Sequence, residues 1–434
     1  MNWQEEYKKK LVSVEDAAAQ IKSGDIVMMS AGPSTPVDII SAIAKRYKEL
    51  KDVTICSGLL MTPLDYLQAE YKGHIKHHTI FAGPLERMFL SQGNIEVTSY
   101  QFSKTEELTN MLSYNVALFE VSEPDVRGYM SFGPLGTFNN GLVSRNADKI
   151  MVQVNKKTPF VNGMDAHIHV SKVDYICEAD HELVEIPPII AGKEEHKIAE
   201  YIVERIPDGA CIQIGLGKLA NAVGFQLENK KDLGVHTEML TDSMVTLAKK
   251  GIINCEKKTF NRDKIVCGFG IGTKELYEFM DRNPLIATFP ISYINDINNI
   301  AKIDNFVSIN NALTVDLTGQ VCSETLGFSV YSGTGGQIDF VKGAQLSKGG
   351  QSFIALKSAA NTKNGPVSRI ASVLLPGTVV TTPRTDVQYI VTEYGIADLY
   401  NKSNEQRVKA MVSIAHPDFR DQLTKEAKDA GLLR

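Results

Sequence analysis

The sequence lacks a CxxC pair, a block of basic residues and any apolar run long enough to cross a bilayer. Its six cysteines, Cys56, Cys177, Cys211, Cys255, Cys267 and Cys322, are scattered, most of them inside apolar runs such as Ala210-Cys211-Ile212. That spacing excludes a zinc knuckle or a dithiol redox centre by pattern and reads as buried free thiols in a reducing, cytoplasmic setting. Lys and Arg total 46 against 51 Asp and Glu, a formal charge of -5. Without a concentrated cationic face, a nucleic-acid partner is not expected. No stretch reaches the ~18 apolar residues of a membrane span. The opening Met1-Asn2-Trp3-Gln4-Glu5-Glu6 does not read as a secretory leader. Also missing are GxGxxG, the P-loop and the GxSxG elbow of serine hydrolases, so the common nucleotide and serine-nucleophile chemistries have no motif to stand on.

What is present is the composition of a globular chain: 434 residues, 43% hydrophobic and 22% charged. That length predicts two or three domains with substantial cores. Short β-rich runs alternate with amphipathic ones. Asp25 to Met29 reads as a strand. Pro36 to Leu50 reads as a helix, with Val37, Ile40, Ile43 and Ala44 at helical spacing. Val53 to Cys56, Asn115 to Glu120 and Lys149 to Val154 read as further strands, the last two continuously apolar. Apolar strands with helices between them predict an α/β fold, its sheet covered on both faces.

An internal echo sharpens this. A helical stretch, Ser23-Gly24-Asp25, a strand and the turn Ser30-Ala31-Gly32-Pro33 reappear as a helical stretch, Pro207-Asp208-Gly209, a strand and the turn Gly215-Leu216-Gly217-Lys218. Two similar α/β domains are the natural reading. The pair Pro187-Pro188 marks the linker, giving domains 1–186 and 187–434.

Three segments could carry chemistry. Gly215-Leu216-Gly217-Lys218 ends a strand and opens a helix, the geometry of an anion cradle, although a bare GxGK serves equally as a tight turn. His236-Thr237-Glu238-Met239 places a carboxylate among apolar neighbours at the end of a short strand, where desolvation would raise its pKa. An exposed or ion-paired Glu is the plainer reading. Tyr331-Ser332-Gly333-Thr334-Gly335-Gly336-Gln337 suits a loop that presents backbone N–H groups to a ligand. His77-His78 and His167-Ile168-His169 invite a metal reading, but no third ligand stands at a suitable spacing, and no metal site is expected.

Read together, these segments resemble the acetyl-CoA hydrolase/transferase family along nearly the whole chain. The likeness rests on Gly128-Tyr129-Met130-Ser131-Phe132-Gly133, Gln213-Ile214-Gly215-Leu216-Gly217, Gly234-Val235-His236-Thr237-Glu238-Met239, Asp316-Leu317-Thr318-Gly319-Gln320, Ser332 to Phe340, Val391-Thr392-Glu393-Tyr394-Gly395 and Ile414-Ala415-His416-Pro417. The resemblance implies two domains of the CoA-transferase superfold and a cytoplasmic homodimer. It implies exchange of coenzyme A between 4-hydroxybutyryl-CoA or butyryl-CoA and acetate, with no cofactor beyond the substrate CoA. It places the catalytic glutamate at Glu238, and an oxyanion-hole asparagine at Asn295 with the Gly335 backbone as companion donor. CoA contacts fall on Gln213, Gly215, Leu216, Gly217, Lys218 and Leu219, on Tyr331, Gly335 and Gly336, and on Lys357 near the phosphates. An acyl-CoA hydrolase using the same glutamate is the alternative, and a non-catalytic CoA-binding module a third. The turn Ser30 to Pro36 departs from the Gly-Glu-Pro pattern of relatives, where the acyl pocket is expected.

Overall fold

The computed structural model describes residues 2–136, 138–215 and 217–434. The chain divides into two compact units at Pro187/Pro188, and Leu240–Asp242 and Val266–Ile294 cluster with the first.

The first unit is built on seven strands: β1 (Ile26–Met29), β2 (Val53–Ser57), β3 (Ile75–Thr79), β4 (Ile95–Val97), β5 (Val116–Val121), β6 (Lys149–Asn155) and β7 (Tyr175–Ala179). They lie in the order β4-β3-β2-β1-β5-β6-β7, every neighbouring pair parallel. Parallel strands need crossovers that cover the sheet, which is why β5 is buried at all six positions. Its alternate side chains serve two cores. Leu118 packs with Ile39, Ile40 and Ile43 of α1 (Val37–Lys45) on one face, and Phe119 with Phe132, Val152 and Ile176 on the other. Helix α1 is shorter than its apolar pattern predicts: Arg46 caps it, and a 3-10 turn, Tyr47–Glu49, follows.

The second unit repeats this plan. Strands β8 (Cys211–Ile214), β9 (Gly234–Leu240), β10 (Phe306–Asn311), β11 (Gln351–Ala355), β12 (Tyr389–Thr392) and β13 (Gly395–Asp398) run β9-β8-β10-β11-β12-β13. All are parallel except the β12–β13 hairpin. The helices that matter below are α2 (Lys193–Arg205), α3 (Lys218–Gln226), α4 (Ile297–Ala301) and α5 (Gln337–Leu346). In both units the first strand sits between the second and a later one, so the chain reverses its direction of winding there. Such switch points leave a crevice at the C-terminal ends of the strands, the usual ligand position in open α/β sheets. All six cysteines are buried and unpaired, and burial pushes the thiols of Cys56, Cys177 and Cys211 up to about 12. Among the described residues, no helix is long and apolar enough to cross a membrane.

Candidate active site

Strand β9 is buried at every position but Glu238, which keeps some exposure. It pairs with β8 in the register Cys211 to Gly234 and Ile212 to Val235. Continued by three residues, that register sets Glu238 level with Gly215, at the C-terminal edge of the sheet beside the switch point. The strand runs on to Leu240, so Glu238 lies inside it rather than at its end as the sequence suggests.

Asn295 is fully buried and immediately precedes Asp296, the N-cap of α4. Its Nδ2 donates to Glu238 Oε1 at 2.6 Å and lies 3.3 Å from Oδ2 of Asp339, itself 1% exposed on the first turn of α5. Gly336, one residue before α5, closes on the same point. A methyl group there would meet Glu238 Oε1 at 1.7 Å and Asn295 Nδ2 at 1.9 Å. Its φ is −111°, so glycine is required by space and not by backbone conformation. The preceding Gly335 does need a left-handed backbone, with φ of 60°. Desolvation pushes the Glu238 carboxyl up to about 7; the Asn295 hydrogen bond opposes the shift and the Asp339 charge adds to it.

The surrounding turns are tied to this centre. Gly217, with φ of 106°, is the residue before α3, and no side chain caps that helix, so its first N–H groups are offered outward. Lys218 is exposed and Leu219 buried at its start; Leu216, between the two glycines, lies outside the described residues. The Gln213 side chain is bonded to Ser308 Oγ and to the Asn310 amide beneath this turn, so it braces the cradle. Asn311 Nδ2 lies 3.7 Å from where a Gly217 Cβ would be, and its carbonyl accepts from Gln337 Nε2 at 2.8 Å. Gln337 Oε1 also accepts from Ser323 and Thr382. Thr334 Oγ1 donates to Glu324, whose carbonyl accepts from the N–H of Tyr331, a residue 40% exposed. Cradle turn and glycine loop are thus both anchored to β10, the first through Gln213 and the Gly215 N–H and the second through Gln337.

Lys357, expected near the CoA phosphates, is ion-paired to the start of α2. Its Nζ pairs with Glu195 at 2.8 Å and Glu194 at 3.6 Å on the first turn of α2, and these carboxylates hold its pKa up. The histidine pairs are engaged locally: His77 with Tyr66, His78 with Thr98, His169 with Ser171 and the Arg127 carbonyl, and His167 stacked on Phe160. In the Ser30–Pro36 turn, Ser30 Oγ donates to the Ser34 carbonyl and Thr35 Oγ1 to that of Gly32, while Ser30 Oγ also accepts from the Glu120 N–H. Sequence reasoning passed over Asp339, Gln337 and Glu324. The string holding Asp339 was in view, but nothing local shows that α5 turns its carboxylate toward Asn295.

Fold and site together define a duplicated open-sheet α/β protein with an acid–amide pair at the C-terminal edge of its second sheet. Residues 1–188 match the acetyl-CoA hydrolase/transferase N-terminal domain and residues 272–427 the C-terminal domain of the same name. The chain is 41% identical over 430 residues to the 4-hydroxybutyrate coenzyme A transferase of Clostridium kluyveri, covering 99% of both. It is 39% identical over 443 residues to the butyryl-CoA:acetate CoA-transferase of Anaerostipes caccae, covering 100% of this chain and 99% of the relative. The crystal structure of RipA from Yersinia pestis superposes with a TM-score of 0.94 at 35% identity, over all of both chains. The chain belongs to the acetyl-CoA hydrolase/transferase family. It is an enzyme of the CoA-transferase class.

Proposed function

We propose that the protein moves coenzyme A between a short-chain acyl-CoA, butyryl-CoA or 4-hydroxybutyryl-CoA, and acetate, through a thioester on Glu238. The observation that carries this reading is the partly exposed carboxylate of Glu238, held by the Asn295 amide and crowded by Gly336. A Glu238 oxygen attacks the thioester carbonyl, the C–S bond breaks, and CoA leaves as thiolate from a mixed anhydride. The thiolate then attacks the Glu238 carbonyl and expels the first carboxylic acid as its anion. Acetate runs the same two steps in reverse. A carboxylate nucleophile matches the leaving carboxylate in energy, so the exchange runs close to equilibrium without metal or redox chemistry. Each step passes through an oxyanion, and Asn295 Nδ2 with the backbone N–H of Gly335 would stabilise it. One such donor is worth roughly 3 kcal/mol. The Gly215–Leu219 cradle offers N–H groups of the kind that bind CoA phosphates. The resemblance further implies a homodimer or higher homo-oligomer, which light scattering on the purified protein would test.

The experiment is a product assay with butyryl-CoA, with and without acetate. Acetyl-CoA formed only with acetate, with little free thiol, supports transfer. Free CoA released at the same rate in both conditions would replace it by the hydrolase reading, in which water reaches the Glu238 thioester.

A further inference from the structure

Asn295 has a choice of two orientations, and the one it takes leaves a polar atom stranded. Its side chain is fully buried, and Oδ1 has no hydrogen-bond partner among the described residues. Buried carbonyl oxygens are seldom left this way. What fixes the orientation is on the other side of the amide. Nδ2 faces two carboxylates, Glu238 at 2.6 Å and Asp339 at 3.3 Å. Rotating the amide by half a turn would set Oδ1 against two acceptors, which repel it. One carboxylate would suffice only while it stays a carboxylate. In the proposed reaction Glu238 becomes an anhydride and then a thioester, and loses its charge each time. At those stages Asp339 is the remaining anion in reach of Nδ2.

We propose that Asp339 is a positioning residue of the transfer reaction: its carboxylate keeps the Asn295 amide aimed at the Glu238 carbonyl through the covalent stages. This rests on the reading of Glu238 as nucleophile. The buried aspartate is held at this point by its helix. Asp339 lies on the first turn of α5, where negative charge is favoured, and Phe340 beside it packs on Phe306 of β10. Asp296 turns back to accept from the Asn298 N–H, and the His236 ring meets the edge of Phe306. Asp339 is the charged neighbour that acts on Glu238, in the direction of holding its proton.

The test compares wild type, Asp339→Asn and Asp339→Ser in steady-state transfer from butyryl-CoA to acetate across pH. Removal of the charge is expected to move the acid limb of kcat/KM to lower pH, since a like charge no longer opposes ionisation. The plateau kcat is expected to fall about tenfold or more, with KM for butyryl-CoA little changed, because an oxyanion donor has lost its aim. Serine removes the charge while leaving Asn295 an acceptor, so it reads the limb shift if the Asn variant fails to fold. An acid limb that stays in place, or a kcat loss matched by a rise in KM, would overturn the proposal. Mass spectrometry of the wild-type enzyme incubated with butyryl-CoA keeps the two readings apart. A CoA adduct on Glu238 upholds the nucleophile whatever Asp339 does. An absent adduct, with Glu238→Ala still active, removes the nucleophile instead.

Discussion

At the residue scale, the chemistry turns on a carboxylate kept from full hydration. Because the Glu238 carboxyl is pushed up to about 7, the fraction ionised, and with it kcat/KM, should fall as pH drops through that value. A profile flat from pH 6 to 8 would show that its ionisation does not gate the reaction. The same shift bears on stability. The unfolded chain ionises this group near the ordinary glutamate value of 4.5, the folded one near 7, so ionisation destabilises the fold increasingly between those values. Glu238→Gln should therefore abolish transfer and yet raise stability at pH 8 by roughly 2 kcal/mol, taking about 1.4 kcal/mol per pKa unit and discounting for partial exposure. Denaturant titrations of both proteins at pH 5 and pH 8 would measure it, and a gap that does not widen with pH would contradict the assignment. Gly336→Ala should cost about a hundredfold or more in kcat, since the added methyl must push Glu238 or Asn295 aside by more than an ångström. Normal kcat in that variant would mean that the loop yields freely.

At the scale of elements, the frame is more telling than any one strand. Lys357 follows β11 and is clamped to the start of α2 by Glu195 and Glu194. The lysine is itself partly exposed, so Lys357→Met should lower stability by about 1 kcal/mol or less. If Lys357 also meets the CoA phosphates, KM for acyl-CoA will rise several-fold in the same variant; an unchanged KM assigns the residue to the α2 contact alone. In the first unit, Glu120 near the end of β5 is fully buried and accepts from Gln153, Asn155 and Thr158, with His181 Nε2 at 3.1 Å. The Glu120 hydrogen bond is the main reason the His181 pKa is pushed up to about 9. A His raised in the folded state contributes stability that is complete below about 6.5 and lost as pH rises through about 9. The stability gap between wild type and His181→Gln should close between pH 6 and pH 9.5, and a constant gap would mean the imidazolium is not what holds the end of β7 to β5 and β6.

At the scale of the molecule these groups combine. Glu238 draws stability down between about pH 4.5 and 7, and His181 from about 6.5 to 9. His77, fully buried and lowered by desolvation to about 3, acts on the acid side, because the unfolded chain takes its proton first. Their sum is a stability plateau between about pH 4.5 and 6.5 that falls away on either side, and chemical denaturation across pH would show it. The double variant Glu238→Gln, His181→Gln should flatten the alkaline slope; a slope as steep as wild type would place its origin in other groups.

The sequence by itself determined what depends on near neighbours. Apolar strand runs, the repeated strand–turn–helix unit, the Pro187-Pro188 break and the glycines of both loops are local consequences of backbone sterics and side-chain periodicity. Glu238 was legible through the family resemblance, because its neighbours along the chain suit an exposed or ion-paired glutamate equally well. Tertiary structure decided the rest. That Asn295 and Asp339 meet at one nitrogen, that Gly336 rather than its neighbour crowds the nucleophile, and that Lys357 turns to α2 depend on contacts between residues dozens of positions apart. Such contacts are fixed by how α5 packs on α4 and β10, and by the place of β9 beside β8 in the sheet. No spacing along the chain encodes them, because the approach of two side chains in space is set by the core between them.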